Sequence, residues 1–99
     1  MAVEGLEITR HEDANSGEYH AHLPGSDAIG RLTWVTQDGA RVAEHTLVPK
    51  EIGGRGVAGQ LVKALAADAR KQGFKIVPQC SYVAAKFDEN LDWTDLRAS

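Results

Sequence analysis

Only one cysteine, Cys80, stands among the 99 residues. A lone thiol excludes an internal disulfide and any cysteine-cluster zinc site, and leaves a reactive thiol as an open use. Aromatic residues are scarce at 6%, too few for a base-stacking surface. Lys and Arg number 11 against 14 Asp and Glu, giving a net charge of −3 without a basic stripe. A general nucleic-acid binder is therefore excluded. No run approaches the roughly 20 consecutive apolar residues that span a bilayer. Met1, Ala2, Val3, Glu4 and Gly5 put no basic region ahead of an apolar run, so no secretory leader is expected and the protein is expected in the cytoplasm. What is present suffices for a modest core: hydrophobic residues make up 42% of the chain, and the length fits one domain over residues 1–99.

The first half has the two-residue periodicity of strands. Residues 6–10 alternate apolar and polar side chains, and residues 18–23 form a second candidate that ends at Pro24 and Gly25. Residues 28–36 are rich in β-branched and aromatic side chains. Asp38 and Gly39 follow as a tight hairpin turn, and residues 41–48 return as a fourth strand. Together these predict an antiparallel meander.

The pattern changes at Pro49. Val57, Ala58, Leu61, Val62, Leu65, Ala66 and Ala69 recur at helical spacing, with Lys63, Asp68, Arg70 and Lys71 assigned to the opposite side. The helix should run about four turns and stop at Gly73, with Phe74 folding back onto its last turn. Residues 75–78 read as a short strand whose Pro78 confines it to an edge. Ser81 is the expected cap of a last helix reaching about Asn90, followed by an irregular or short-helical tail. The fourth and fifth strands flank a helix and so should be parallel, joined by a right-handed crossover. The fold class is α/β (α+β), with a mixed, mostly antiparallel sheet and a β-loop-α-β-α unit. Pro78 in an edge strand weighs against sheet extension, so a monomer is expected.

Four glycines fall within residues 53–59, at the start of the long helix. A P-loop needs Lys after its last glycine, and Gln60 follows Gly59. Residues 54–59 fit G-x-G-x-x-G, but a Rossmann turn would follow its strand at once, and no acidic residue ends the next strand. Backbone N–H groups at a helix N-terminus need no lysine. Aided by a dipole worth roughly half a positive charge, they form a nest for a pyrophosphate.

These residues lead to a family. His45, Thr46, Leu47, Val48 and Pro49, then Gly54, Arg55, Gly56, Val57 and Ala58, then residues 77–83 and 90–93, resemble the small single-domain branch of the GNAT acetyltransferase superfamily. Gly56 and Ala58 occupy the last two defined positions of its glycine signature, and Gly53 stands where Gln or Arg is expected. The resemblance implies acetyl-CoA, or CoA, in a splay between the fourth and fifth strands. The pyrophosphate would meet Gly53, Gly54, Arg55, Gly56, Val57 and Ala58, and the pantetheine arm would pass Leu47, Val48, Cys80 and Ser81. It also implies N-acetyl transfer to an amine that the sequence does not name. A non-catalytic acyl-CoA-binding or sensing module is the alternative, and a nucleotide-binding fragment is a third, which the length disfavours.

Acetyl transfer needs a base for the amine and stabilisation of the oxyanion and the leaving thiolate. Glu44 and His45 are the base candidates. Neighbouring strand residues point to opposite faces, so only one is expected to serve. Imidazole titrates near neutrality, which favours His45, with a structural role open beside it. Cys80, ahead of a helix N-terminus, is either an acetyl-accepting nucleophile or a small packing residue. Tyr82 is a candidate proton donor to the departing thiolate. His11, His20 and His22 invite a metal reading, and His20 and His22 share a strand face at a spacing metals use, but no third ligand is placed by sequence, so solvated strand histidines and no metal site are expected. Trp34 and Trp93 read as packing residues.

Overall fold

A computed structural model describes residues 5–98. The readings for residues 1–4 and for Ser99 lie outside them. The first four strands, β1 (Glu7–Glu12), β2 (Ser16–His22), β3 (Ile29–Gln37) and β4 (Ala40–Leu47), form the meander. A 16-residue helix α1 (Val57–Gln72), a strand β5 (Ile76–Pro78) and a helix α2 (Ser81–Glu89) follow. Two 3₁₀ turns, Lys50–Ile52 and Leu91–Leu96, complete the order. The sheet order is β1-β2-β3-β4-β5, antiparallel except for the parallel β4–β5 pair. Asp38 (φ 54°) and Gly39 (φ 79°) make the tight turn between β3 and β4.

The alternation of β2 and β3 gives the sheet two different faces. Tyr19, Ala21, Leu32 and Trp34 point to one side and are buried with Leu61, Val62, Leu65, Ala66 and Ala69 of α1. Leu61 and Leu65 are fully buried, and each such side chain contributes about 1.5–3 kcal/mol relative to exposure. Val83 and Phe87 of α2 and Leu96 join the same cluster, and Trp93 packs against Phe87 with ring centroids 5.5 Å apart. The other face of the meander carries His11, Glu18, His20 and Thr33, which line an open hollow of about 780 Å³.

Asp68 does not lie on the polar side of α1. It is buried and accepts from Arg10 Nε at 2.7 Å, Arg10 Nη2 at 3.1 Å and the Tyr19 hydroxyl at 2.7 Å. Its place three residues after Leu65 puts it in the apolar stripe, and the guanidinium and phenol make burial tolerable. Burial pushes this carboxyl up, but the bonds from Arg10 and Tyr19 outweigh burial and hold it below the usual carboxylate range. Burial and the bond to Asp68 push the Tyr19 hydroxyl above its ordinary range. Arg41 lies over the Trp34 ring at 3.9 Å and over Phe74 at 4.1 Å, closing the end of this core.

Ser81 is not the cap of α2. Cys80 occupies the cap position with extended backbone (φ −65°, ψ 129°), and Ser81 begins the helix. The cause lies across the sheet, where Cys80 N–H donates to the Ala43 carbonyl at 2.9 Å and holds residue 80 outside the helix. The tail returns to the sheet: Ala98 N–H donates to the Ile76 carbonyl at 2.8 Å, beside a parallel bridge from Arg97 to Ile76.

Candidate functional site

The β4–β5 pairing is short. Arg41, Val42 and Ala43 lie opposite Ile76, Val77 and Pro78, and the parallel ladder ends there. Pro78 has no N–H to continue it. β4 runs on to Leu47, while the chain beyond Pro78 turns at Cys80 into α2. Beyond those pairs β4 and β5 are unpaired, and this unpaired stretch, the β4–β5 slot, has the Cys80-to-Ala43 hydrogen bond at its apex.

One wall of the slot is β4, where the register against β3 slips. Trp34 pairs with Ala43 and Thr33 with His45, so Glu44 is the extra residue of a bulge. The bulge overturns the expected alternation of Glu44 and His45. Glu44 lines the open-face hollow together with Thr33, and His45 is the register partner of Thr33, so both belong to that face. Thr46 pairs with the core residue Leu32 and faces the helix side. Leu47, 57% exposed, and Val48 line a groove of about 660 Å³ shared with Asp27, Ile29 and Arg31.

The other wall carries Cys80, whose sulfur lies 3.5 Å from the Thr46 hydroxyl. Burial pushes this thiol up. The Thr46 hydroxyl and the nearby backbone N–H groups of Val83, Tyr82 and Thr46 outweigh burial and hold the thiol below its usual range. Cys80 and Tyr82 are partly buried and packed on the core, while Ser81 is exposed.

The glycine loop follows β4 and the Lys50–Ile52 turn and leads into α1. Ile52 and Val57 are buried anchors, and residues 53–56 between them are exposed. Gly54 (φ 75°) and Gly56 (φ 79°) take left-handed backbone, which costs other residues about 1–2 kcal/mol. Gly56 caps α1 without any side-chain cap, and no acidic residue stands in the first turn. The first N–H groups of the helix are thus left to water or to an anion. Gly53, by contrast, has ordinary extended backbone (φ −69°, ψ 157°). The Tyr82 hydroxyl reaches toward this end of α1: a Cβ added to Gly59 would lie 3.6 Å from it.

The structure thus brings Thr46, Cys80, Tyr82 and the uncapped α1 N-terminus together on the helix side of the slot. Glu44 and His45 stand on the opposite face. The bulge was invisible in the sequence, because no glycine or proline marks Glu44. A further cluster, His11 with His20 and His22, became visible only with the β1–β2 register.

The family model described as GCN5-related N-acetyl-transferase matches residues 18–96. The solution structure of a GCN5-like protein from Staphylococcus aureus, itself assigned as an N-acetyltransferase, superposes with a TM-score of 0.71 at 25% identity. That match covers 97% of this chain and 91% of the other. No curated protein matches the chain.

Proposed function

The chain belongs to the GCN5-related N-acetyltransferase family, and from that premise we propose that it binds acetyl-CoA in the β4–β5 slot and transfers the acetyl group to an amine. The observation that carries this reading is a slot flanked by an uncapped helix N-terminus with two left-handed glycines. Those features fit a pyrophosphate: the first N–H groups of α1 have no side-chain cap, the helix dipole is positive there, and no acidic residue stands in the first turn. In this reading Gly53, Gly54, Arg55, Gly56, Val57 and Ala58 hold the pyrophosphate, and Leu47, Val48, Cys80 and Ser81 border the pantetheine.

Bound acetyl-CoA supplies a thioester carbonyl for an amine to attack. Glu44 or His45, on the open face, takes the proton that the amine loses as its nitrogen bonds to that carbonyl carbon. As the C–S bond breaks, Tyr82 on the helix side is the candidate to return a proton to the sulfur that leaves. The two faces divide the labour, with the donor on the helix side and the acceptor in the open hollow. Glu12, Asp13, Glu18 and Glu44 line that hollow, a set that favours a cationic amine.

Thermal unfolding with acetyl-CoA, CoA, NAD and ATP in parallel tests the binding. Acetyl-CoA and CoA alone should raise the midpoint by several degrees, since a ligand at a hundredfold excess over its Kd adds about 2.7 kcal/mol. A shift with NAD or ATP instead, or with nothing, overturns the reading. Turnover with an amine panel tests transfer. Glu44→Gln or His45→Ala should cut it sharply and keep the CoA shift. Binding without turnover on any amine would leave a non-catalytic acyl-CoA module.

The lowered Cys80 thiol supports a second route. Here the Cys80 sulfur attacks the thioester, acetyl-Cys80 forms as CoA leaves, and the amine then takes the acetyl group and frees the thiol. Mass spectrometry after mixing with acetyl-CoA separates the routes. Added acetyl mass that vanishes in Cys80→Ser supports the relay, and unmodified protein with full turnover supports direct transfer.

A further inference from the structure

His20 and His22 lie two residues apart on β2, so their side chains share the open face. The β1–β2 register sets Thr9 opposite His20 and His11 opposite Glu18, which brings His11 diagonally onto the same patch. The His11 and His20 rings are 4.0 Å apart between centroids, and those of His20 and His22 are 6.3 Å apart. One ring nitrogen from each of the three lies within 4.8 Å of the others.

The hydrogen bonds indicate where the rings converge. The Thr9 hydroxyl lies 2.9 Å from His11 Nε2 and 2.8 Å from His22 Nε2, so two imidazoles aim at one point. A hydroxyl has one proton to give and two lone pairs to accept with, so at least one of the two nitrogens donates to Thr9 Oγ1. Glu18 Oε1 lies 2.7 Å from His20 Nε2 and brings negative charge to the same patch. His20 is held firmly, with its side chain only 17% exposed.

We propose that His11, His20 and His22, with Glu18 beside them, form a site for a divalent transition-metal ion of borderline softness such as zinc. Three neutral imidazoles and an oxygen are a donor set that zinc, nickel and copper take, and one that magnesium and calcium do not favour. A tetrahedral zinc ion stands about 2.0–2.1 Å from each nitrogen, which sets the nitrogens about 3.4 Å apart. Small side-chain rotations close the present set to that spacing. The carboxylate of Glu18 either steadies the His20 ring or completes the shell, and both uses are ordinary for metal-binding histidines. The ion would fasten β1, an edge strand, to β2 and would sit in the wall of the hollow that Glu44 also lines, since His11, Glu18 and His20 line it too. This site is independent of the β4–β5 slot.

The test uses the full chain without an affinity tag or any acyl-CoA. Zinc chloride is titrated calorimetrically, and cobalt(II) serves as a probe whose visible absorption reports imidazole coordination. The expected result is one ion per chain at equimolar concentration, with the thermal midpoint raised. His20→Gln and His22→Gln should each weaken binding by at least about tenfold, and Glu18→Gln by about ten- to hundredfold. Imidazole ¹⁵N spectra of the unmutated chain should shift for His11, His20 and His22 but not for His45, which keeps the test valid if a variant fails to fold. Failure to bind one equivalent overturns the proposal. So does binding that survives in the His20→Gln/His22→Gln double variant, or zinc-induced shifts at His45 instead of the cluster.

Discussion

The Cys80 sulfur and the Thr46 hydroxyl meet at 3.5 Å across the point where β4 and β5 stop pairing. A side-chain contact thus spans the slot just beyond the last backbone pairs. Removing the hydroxyl in Thr46→Val takes away a group that lowers the Cys80 thiol. Alkylation by iodoacetamide should slow several-fold at neutral pH, and its pH profile should move to higher pH. An unchanged profile would mean that the helix N-terminus alone sets the thiolate.

Gly56 and Gly53 make a matched pair for testing the anion nest. Gly56→Ala forces a side chain into left-handed backbone, at a cost of about 1–2 kcal/mol, and should weaken CoA binding at least tenfold by moving the amides. Gly53 has ordinary φ and room for a Cβ, whose nearest neighbour would be the Lys50 carbonyl at 3.5 Å. Gly53→Gln should therefore leave CoA affinity intact and stabilise the fold by about 0.4–1 kcal/mol through the unfolded chain. Calorimetric titration with CoA and thermal melts read both outcomes.

Asp68 joins β1, β2 and α1 through Arg10 and Tyr19. Asp68→Ala leaves the buried phenol without its acceptor and should cost about 2–4 kcal/mol, read by urea or thermal unfolding. The pH dependence follows from the lowered carboxyl. Its contribution is complete above the unfolded carboxylate pKa of about 3.9 and is lost as pH falls through the lower folded value. The native protein should thus lose stability below about pH 4 more steeply than Asp68→Asn.

Gly59 sits inside α1 with helical backbone, and a Cβ there would meet the Tyr82 hydroxyl at an ordinary contact distance of 3.6 Å. Gly59→Ala should stabilise the helix by about 0.5–1 kcal/mol and raise the melting temperature by several degrees. A lower melting temperature would show that Tyr82 cannot yield any space.

Most of the frame was legible because it rests on local chemistry. Asp38 and Gly39 announce their turn, Gly73 ends α1, and the apolar rhythm from Val57 to Ala69 gives the helix within a residue or two. What escaped depends on partners distant in sequence. Asp68 was assigned outward by its charge, although its spacing from Leu61 and Leu65 put it inside, because only Arg10 and Tyr19 make that burial affordable. Ser81 carries the better capping side chain, yet the Ala43 carbonyl selects Cys80 for the position. The bulge at Glu44 depends on the β3 register, and no local residue signals it. His11 joins His20 and His22 only once the β1–β2 pairing is known.

The return of residues 97 and 98 to Ile76 bears on how copies of the chain treat one another. A short parallel strand with an apolar pair, Ile76 and Val77, at the margin of a sheet is a template for amyloid-like stacking when its outer backbone is bare. Here the Ile76 carbonyl is occupied by Ala98 N–H, and Arg97 places a charge beside it. The segment thus acts as a gatekeeper, exchanging an intermolecular strand pairing for an intramolecular one. Arg97 and Ala98 thereby make this margin of the sheet a poorer template for a second chain.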